Sequence, residues 1–271
     1  MGTNKVNGSV NIGDTDMYYV SFGNGAKKLV VLPGLSDGLM TVKGKAAFLA
    51  GSYKKFFKDY TVYMFSRKND MPKGYSIRDM AADQAKAMKQ LGIYSAYILG
   101  VSQGGIIAQY IAIDYPQLVE GLILAVTAPY ANKIVTDAVK GWMEMAAKGD
   151  HTTLMIDTAE KMYTRKYMEK NRKMFPVLAR LTKPKSYERF FRNCEAILSF
   201  DAREELSKIC CPTFVIAGDD DNTVGNDAPS EFKERIENST LHIYNGYGHG
   251  AFEECRDFYD RVLEFCDSCS L

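Results

Sequence analysis

Residues 96–115 read AYILGVSQGGIIAQYIAIDY, and the reading of this stretch decides the fold. Ala96 to Val101 is a continuous apolar run, the mark of a parallel strand covered on both faces. Gly105 to Tyr115 favours helix and stops ahead of Pro116, whose ring disfavours helical backbone in the residue before it. Between them, Gly100-Val101-Ser102-Gln103-Gly104-Gly105 has the form G-x-S-x-G. Acyl transfer needs a serine oxygen exposed on such a sharp strand-to-helix turn. The turn is crowded, and glycines two before and two after the serine remove side chains that would collide with its neighbours. A glycine-rich turn that serves only packing is the plainer reading. The position between a buried strand and a helix favours the chemical one.

Outward from this turn, strands and helices alternate. Upstream, Val6–Asn11, Met17–Phe22, Lys28–Leu32 and Thr61–Phe65 read as strands, the first two joined by turn chemistry at Gly13-Asp14-Thr15. A helix opens at Ser76, with Asp79 three residues on. It carries Ile77, Met80, Ala81, Gln84, Met88 and Leu91 on one face and ends at Gly92. Downstream, Val119–Val126, Thr213–Ala217 and Leu241–Tyr244 are strands. Helices are expected from about Pro229 to Glu237 and from Gly250 to about Cys266. This rhythm predicts a mostly parallel sheet with helices on both faces.

The rhythm breaks between Thr127 and Leu206, where no strand-like run occurs. KMYTRKYMEKNRKMF (residues 161–175) is typical of this stretch: helix-favouring, methionine-rich and basic. We expect a core of residues 1–127 and 206–271 and an all-helical insertion over 128–205, acting as a lid above the strand ends. Met143, Met145, Met162, Tyr163 and Phe175 are candidates for an adaptable apolar pocket wall, although such residues more often form the core of a lid than touch substrate. The lid's basic character reads as a solvated face, with an anionic substrate as the alternative.

Composition narrows the function. Lys and Arg number 34 against 33 Asp and Glu, so the basic excess of a nucleic-acid binder is missing. No apolar run approaches the length of a membrane span, and no membrane partner is expected. The polar start MGTNKVNGSVNIGD lacks the apolar segment of a secretory signal. The six cysteines all lie in the last third, which reads as reduced thiols in a cytoplasmic protein. Cys266-x-x-Cys269 has metal or redox spacing but no second pair, and reads as incidental.

A nucleophilic serine needs a base, and there are three histidines. His242 lies within an expected strand and His151 in the lid, where substrate contact is conceivable. His249 stands in Tyr247-Gly248-His249-Gly250, a loop after the last strand, with glycines that let its ring reach the carboxyl edge of the sheet. A neutral imidazole there takes the serine proton and returns it to a leaving group. The base needs an orienting carboxylate, and Asp219-Asp220-Asp221 follows the strand Thr213–Ala217. Residue chemistry alone does not choose among the three. A calcium loop is disfavoured, since the alternation and terminal glutamate are missing. The backbone N–H groups of Gln103, at a helix start, and Leu35, after Pro33-Gly34, are the expected oxyanion donors.

With these residues in view, the chain resembles the α/β-hydrolase fold superfamily over essentially its whole length. The order Ser102, aspartate, His249 is that family's order. Its acid stands three residues after the strand-ending glycine, which maps onto Asp221, with Asp220 as runner-up. The segment Tyr75 to Asp83 and a helical cap after the strand Val119–Val126 also resemble the family. Pro33-Gly34 replaces the usual His-Gly, and Ser66-Arg67-Lys68-Asn69 replaces Asp-x-Arg-Gly, leaving Arg67 a structural role. The resemblance implies an eight-stranded, mostly parallel sheet and no metal or organic cofactor. Serine rather than aspartate at the turn argues against haloalkane dehalogenase and epoxide hydrolase chemistry. It fits a carboxylesterase acting on a small-molecule ester. Lactonases, thioesterases, C–C bond hydrolases and slow-turnover signalling proteins that retain the triad are the alternatives.

Overall fold

A computed structural model of the chain describes residues 4–269. Residues 1–3 and 270–271, the two ends of the expected core, lie outside them. Among the described residues eight strands form one sheet: β1 (Lys5–Ile12), β2 (Thr15–Phe22), β3 (Lys27–Leu32), β4 (Tyr60–Phe65), β5 (Ala96–Val101), β6 (Val119–Ala125), β7 (Thr213–Gly218) and β8 (Ser239–Tyr244). Their order is β1-β2-β4-β3-β5-β6-β7-β8. β1 pairs with β2, and β2 with β4, antiparallel; every other pairing is parallel. The sheet is thus eight-stranded and mostly parallel, as expected.

Every residue of β5 and β7 is buried, which is why both segments read as unbroken apolar runs. Successive side chains point to opposite faces and build two cores. Val30, Ile98, Leu122, Leu124 and Val215 pack under α2 (Ile77–Gln90), α3 (Gln103–Asp114) and α9 (Ala228–Arg235). Val31, Leu99, Ile123 and Ile216 pack under α1 (Ala46–Leu49), a 3-10 stretch at Ala50–Phe56, α10 (Ala251–Glu254) and α11 (Phe258–Ser268). Ser76 and Asp79 form the reciprocal cap that opens α2.

One expectation needs correction. The closing helix is two helices, because the buried Cys255 leaves helical backbone at φ −83°, ψ 117°. The break sets Asp257 at the start of α11. There its carboxylate accepts from the Tyr244 hydroxyl of β8 (3.1 Å), an acid at the positive end of a helix. The stretch between β3 and β4 also holds short helical turns (Leu35–Gly38, α1, Ala50–Phe56) too brief to show any periodicity.

Between β6 and β7 the chain forms α4 (Lys133–Ala147), α5 (His151–Met162), α6 (Arg165–Asn171), α7 (Phe175–Thr182) and α8 (Glu188–Leu198). Asn132, Asp150 and Thr164 cap the first three of these through their side chains. The excursion leaves and returns through one neck: the Ala131 N–H donates to the Phe200 carbonyl (3.1 Å) and the Ala202 N–H to the Pro129 carbonyl (2.9 Å). Among the described residues no helix is long and apolar enough to cross a membrane.

Candidate active site

The strand order reverses at β3, whose neighbours are β4 and β5. In an open parallel sheet such a reversal leaves a crevice beyond the carboxyl ends of the two strands that diverge, and ligands bind there. Here the crevice lies between the loop after β3 and the turn after β5, the two segments that carry Leu35 and Ser102.

Ser102 has φ 53° and ψ −121°, a backbone state that a residue with a Cβ rarely adopts. Its N–H donates to the Ala125 carbonyl (2.9 Å), and its own carbonyl accepts from the Gly105 N–H and the Thr127 hydroxyl, both at 2.8 Å. Thr127 thereby braces the strained turn, a role with no signal in the sequence. A Cβ on Gly100 would lie 2.5 Å from the Gly104 carbonyl oxygen, and one on Gly104 only 1.8 Å from that of Leu32. The glycines of the motif are therefore a steric requirement.

The structure brings Ser102, His249 and Asp221 together. His249 Nε2 lies 2.9 Å from Ser102 Oγ, and His249 Nδ1 lies 2.8 Å from Asp221 Oδ2. Asp221 is 3% exposed and His249 also 3%, so the ring faces this carboxylate with almost no competing water. A carboxylate opposite Nδ1 fixes the proton on that nitrogen and leaves the Nε2 lone pair for the serine hydroxyl. The other oxygen of Asp221 accepts from the Thr223 N–H (2.8 Å) and the Val224 N–H (2.9 Å), so the carboxylate is held at both ends. The three adjacent aspartates divide here. Asp219 accepts from the Gly246 N–H (2.6 Å), and the exposed Asp220 faces Asn222. Neither bonds to the imidazole.

The loop after β3 runs directly beside the serine: a Cβ on Gly34 would lie 3.3 Å from Ser102 Cβ. Leu35 opens a 3-10 turn and Gln103 opens α3. The first residues of a helix have no earlier carbonyl to bond, so both N–H groups stand at positive helix ends beside Ser102.

A buried polar network underlies this loop. The Arg67 guanidinium, 1% exposed, donates to the Gly34 carbonyl (3.1 Å) and to Gln103 Oε1 (2.9 Å). Gln103 Nε2 donates to Asn193 Oδ1 on α8 (2.9 Å). Asp37 accepts from the Arg67 N–H (3.0 Å) and from Arg189 Nη2 of α8 (2.6 Å). Burial pushes the Arg67 guanidinium down to about 10, opposed by Asp37. Burial raises the Asp37 carboxyl, but Arg189 and Arg67 outweigh it and hold the group below its ordinary value. Arg67 has the structural role that the sequence suggested. Asp37, Arg189 and Asn193 carry no motif.

The other histidines lie apart from this constellation. His151 is buried among the helices between β6 and β7 with Nε2 3.3 Å from the Thr182 hydroxyl, and burial lowers its pKa. His242 packs edge-on against Tyr244, ring centroids 4.5 Å apart. Of the candidate wall residues, Phe175 is buried and Met143 and Met145 pack partly against the core, whereas Met162 and Tyr163 abut the His249 loop.

Comparison with known proteins agrees with this fold. The family model described as alpha/beta hydrolase fold matches residues 58–254. The chain is 25% identical over 232 residues to 3-oxoadipate enol-lactonase 2 of Acinetobacter baylyi, covering 85% of each chain. It is 25% identical over 263 residues to pimeloyl-[acyl-carrier protein] methyl ester esterase of Proteus mirabilis, covering 94% of this chain and 98% of that one. Among solved structures, MGS-M2, an alpha/beta hydrolase enzyme from a Medee basin deep-sea metagenome library, superposes with a TM-score of 0.84. It has 21% identity and the match covers 96% of this chain and 97% of that one. The chain belongs to the alpha/beta hydrolase fold family and is a hydrolase of that class.

Proposed function

We propose that the protein is a serine hydrolase that cleaves a small carboxylic ester through an acyl-enzyme. The observation that carries this reading is the unbroken hydrogen-bond chain from Ser102 Oγ through the His249 ring to Asp221. His249 Nε2 takes the serine proton as Oγ attacks the ester carbonyl. Asp221 steadies the imidazolium that forms. The tetrahedral oxyanion is met by the Leu35 and Gln103 N–H groups. Collapse expels the alcohol, which takes its proton from His249. A water molecule then gives a proton to His249, attacks the acyl carbonyl and releases the acid, restoring the serine.

Support for an ester comes from the two relatives named as an enol-lactonase and a methyl ester esterase, beside others named as carbamate hydrolases, and a lactone, as a cyclic ester, would run through the same steps. Residues 128–205 serve in this reading as the cap that shields the acyl-enzyme. A fluorophosphonate probe should label the wild-type protein and leave Ser102→Ala unlabelled. His249→Ala should lower kcat on p-nitrophenyl esters by roughly 10³–10⁶-fold. Equal labelling of wild type and Ser102→Ala removes Ser102 as the nucleophile.

A further inference from the structure

The glycines on either side of His249 have a purpose that backbone freedom does not explain. Gly250 has φ −82° and ψ 7°, open to any residue, and Gly248 is not among the positive-φ glycines. What both positions forbid is a side chain. A Cβ on Gly250 would lie 2.6 Å from the Tyr163 ring, and a Cβ on Gly248 would lie 2.7 Å from the Asp220 carbonyl oxygen of the acid loop and 3.1 Å from that of Met162. Met162 and Tyr163 belong to the corner between α5 and α6. The loop that carries the histidine is thus pressed against the cap.

The contact is also bonded. The Gly250 N–H donates to the Met162 carbonyl at 2.7 Å. Thr164 donates twice to the carboxylate of Glu254, from its N–H (3.0 Å) and from its hydroxyl (2.6 Å). The Tyr163 hydroxyl donates to Glu253. Glu253 and Glu254 end the one-turn helix α10, which begins two residues after His249. On the other side the acid loop holds the same segment: the Asp220 N–H donates to the Tyr247 carbonyl at 3.0 Å.

We propose that the cap corner Met162–Thr164 is a positioning element for the catalytic base, fixing His249 against Ser102 by clamping Gly250 and α10. The inference rests on the serine-hydrolase reading above. Its logic is geometric. His249 sits between two clamps, one from the core's acid loop and one from the cap. Releasing the cap side frees the segment on its helical flank and lets Nε2 drift from Ser102 Oγ. A displacement of about 1 Å at a reacting group costs up to ~10²-fold in rate. The corner therefore acts on turnover, and its contribution to substrate affinity is secondary.

The test uses the full-length protein. Thr164→Val keeps the side-chain shape but removes the hydroxyl that both donates to Glu254 and caps α6, Glu254→Gln weakens the first of these bonds alone, and Thr164→Ser keeps both. Steady-state kinetics on a p-nitrophenyl ester and the rate of fluorophosphonate labelling are measured beside thermal melting. We expect kcat and the labelling rate to fall roughly 10–100-fold in Thr164→Val and Glu254→Gln, with KM within about threefold. Thr164→Ser should stay near wild type. A lowered melting temperature with unchanged kcat overturns the proposal, since the corner then only stabilises the cap. A raised KM with unchanged kcat overturns it as well, since the corner then only shapes the pocket. Should Thr164→Val fail to fold, Glu254→Gln decides. Failure of the underlying reading is separately visible, because the wild-type protein itself would not label.

Discussion

Asp37→Asn is the most informative single change. The side chain is 1% exposed and its carboxylate faces two guanidiniums: Arg189 at 2.6 Å and Arg67 at 3.5 Å. Asparagine keeps the shape and deletes the charge, leaving Arg67 buried with its counter-charge gone. Breaking a buried ion pair from one side costs about 3–5 kcal/mol. A protein of this kind has about 5–15 kcal/mol of stability in all. At about 2–4 °C per kcal/mol, the melting temperature should fall by about 6–20 °C at neutral pH. The change should reach catalysis too. Arg67 also holds the Gly34 carbonyl, and loosening that loop displaces the Leu35 N–H, one of the two donors proposed for the oxyanion; loss of one such donor costs about 10²–10³-fold in kcat. The pH dependence gives a sign. Asp37 is held below its ordinary pKa when folded, so its contribution is complete above the unfolded value, about 4, and fades as pH falls through the lower folded value. The stability gap between wild type and Asp37→Asn should be full at pH 7 and close in acid. Urea melts at pH 7 and pH 3 with kcat at pH 7 provide the assay. A variant as stable and active as wild type at pH 7, or a gap that widens in acid, refutes the reasoning.

Two further outcomes are expected. Ser102→Gly should melt up to about 10 °C above Ser102→Ala. Both lack the hydroxyl, but only glycine relieves the backbone strain at φ 53°, worth about 1–3 kcal/mol less the ~0.5–1 kcal/mol that glycine loses in chain entropy, a net of about 0–2.5 kcal/mol. Differential scanning calorimetry checks this, and a glycine variant that melts below the alanine one would mean that the turn is unstrained. Asp221→Asn should lower kcat by about 10⁴-fold while Asp220→Asn stays within about threefold, because only Asp221 bonds to the imidazole. The reverse ranking would reassign the acid.

The sheet was legible because its strands are buried on both faces and their composition says so. Ser102 was legible for a different reason: crowding at one turn leaves glycine as the only choice at two fixed offsets. His249 followed from its loop, although the glycines beside it make room for the Asp220 carbonyl and the Tyr163 ring and do not supply unusual dihedrals. Asp221 was chosen from its two neighbours only through the family resemblance, since three adjacent carboxylates look alike until the loop is folded. The network of Asp37, Arg189 and Asn193 was invisible. Arg189 lies 152 residues from Asp37, and an arginine on an amphipathic helix looks like any solvated charge until packing buries it. The break before α11 was hidden for a similar reason. Cys255 takes extended backbone there, and no local breaker residue marks it.

The neck at residues 129–131 and 200–202 has an evolutionary consequence. All five helices of the excursion leave and rejoin the sheet at one paired point, so the segment can lengthen, shorten or be exchanged without shifting a strand. Two footholds limit that liberty: the corner that grips the histidine loop, and the face of α8 that grips Asp37 and Gln103. A lineage that preserves both can remodel everything between them, and so change what it digests while inheriting its chemistry intact.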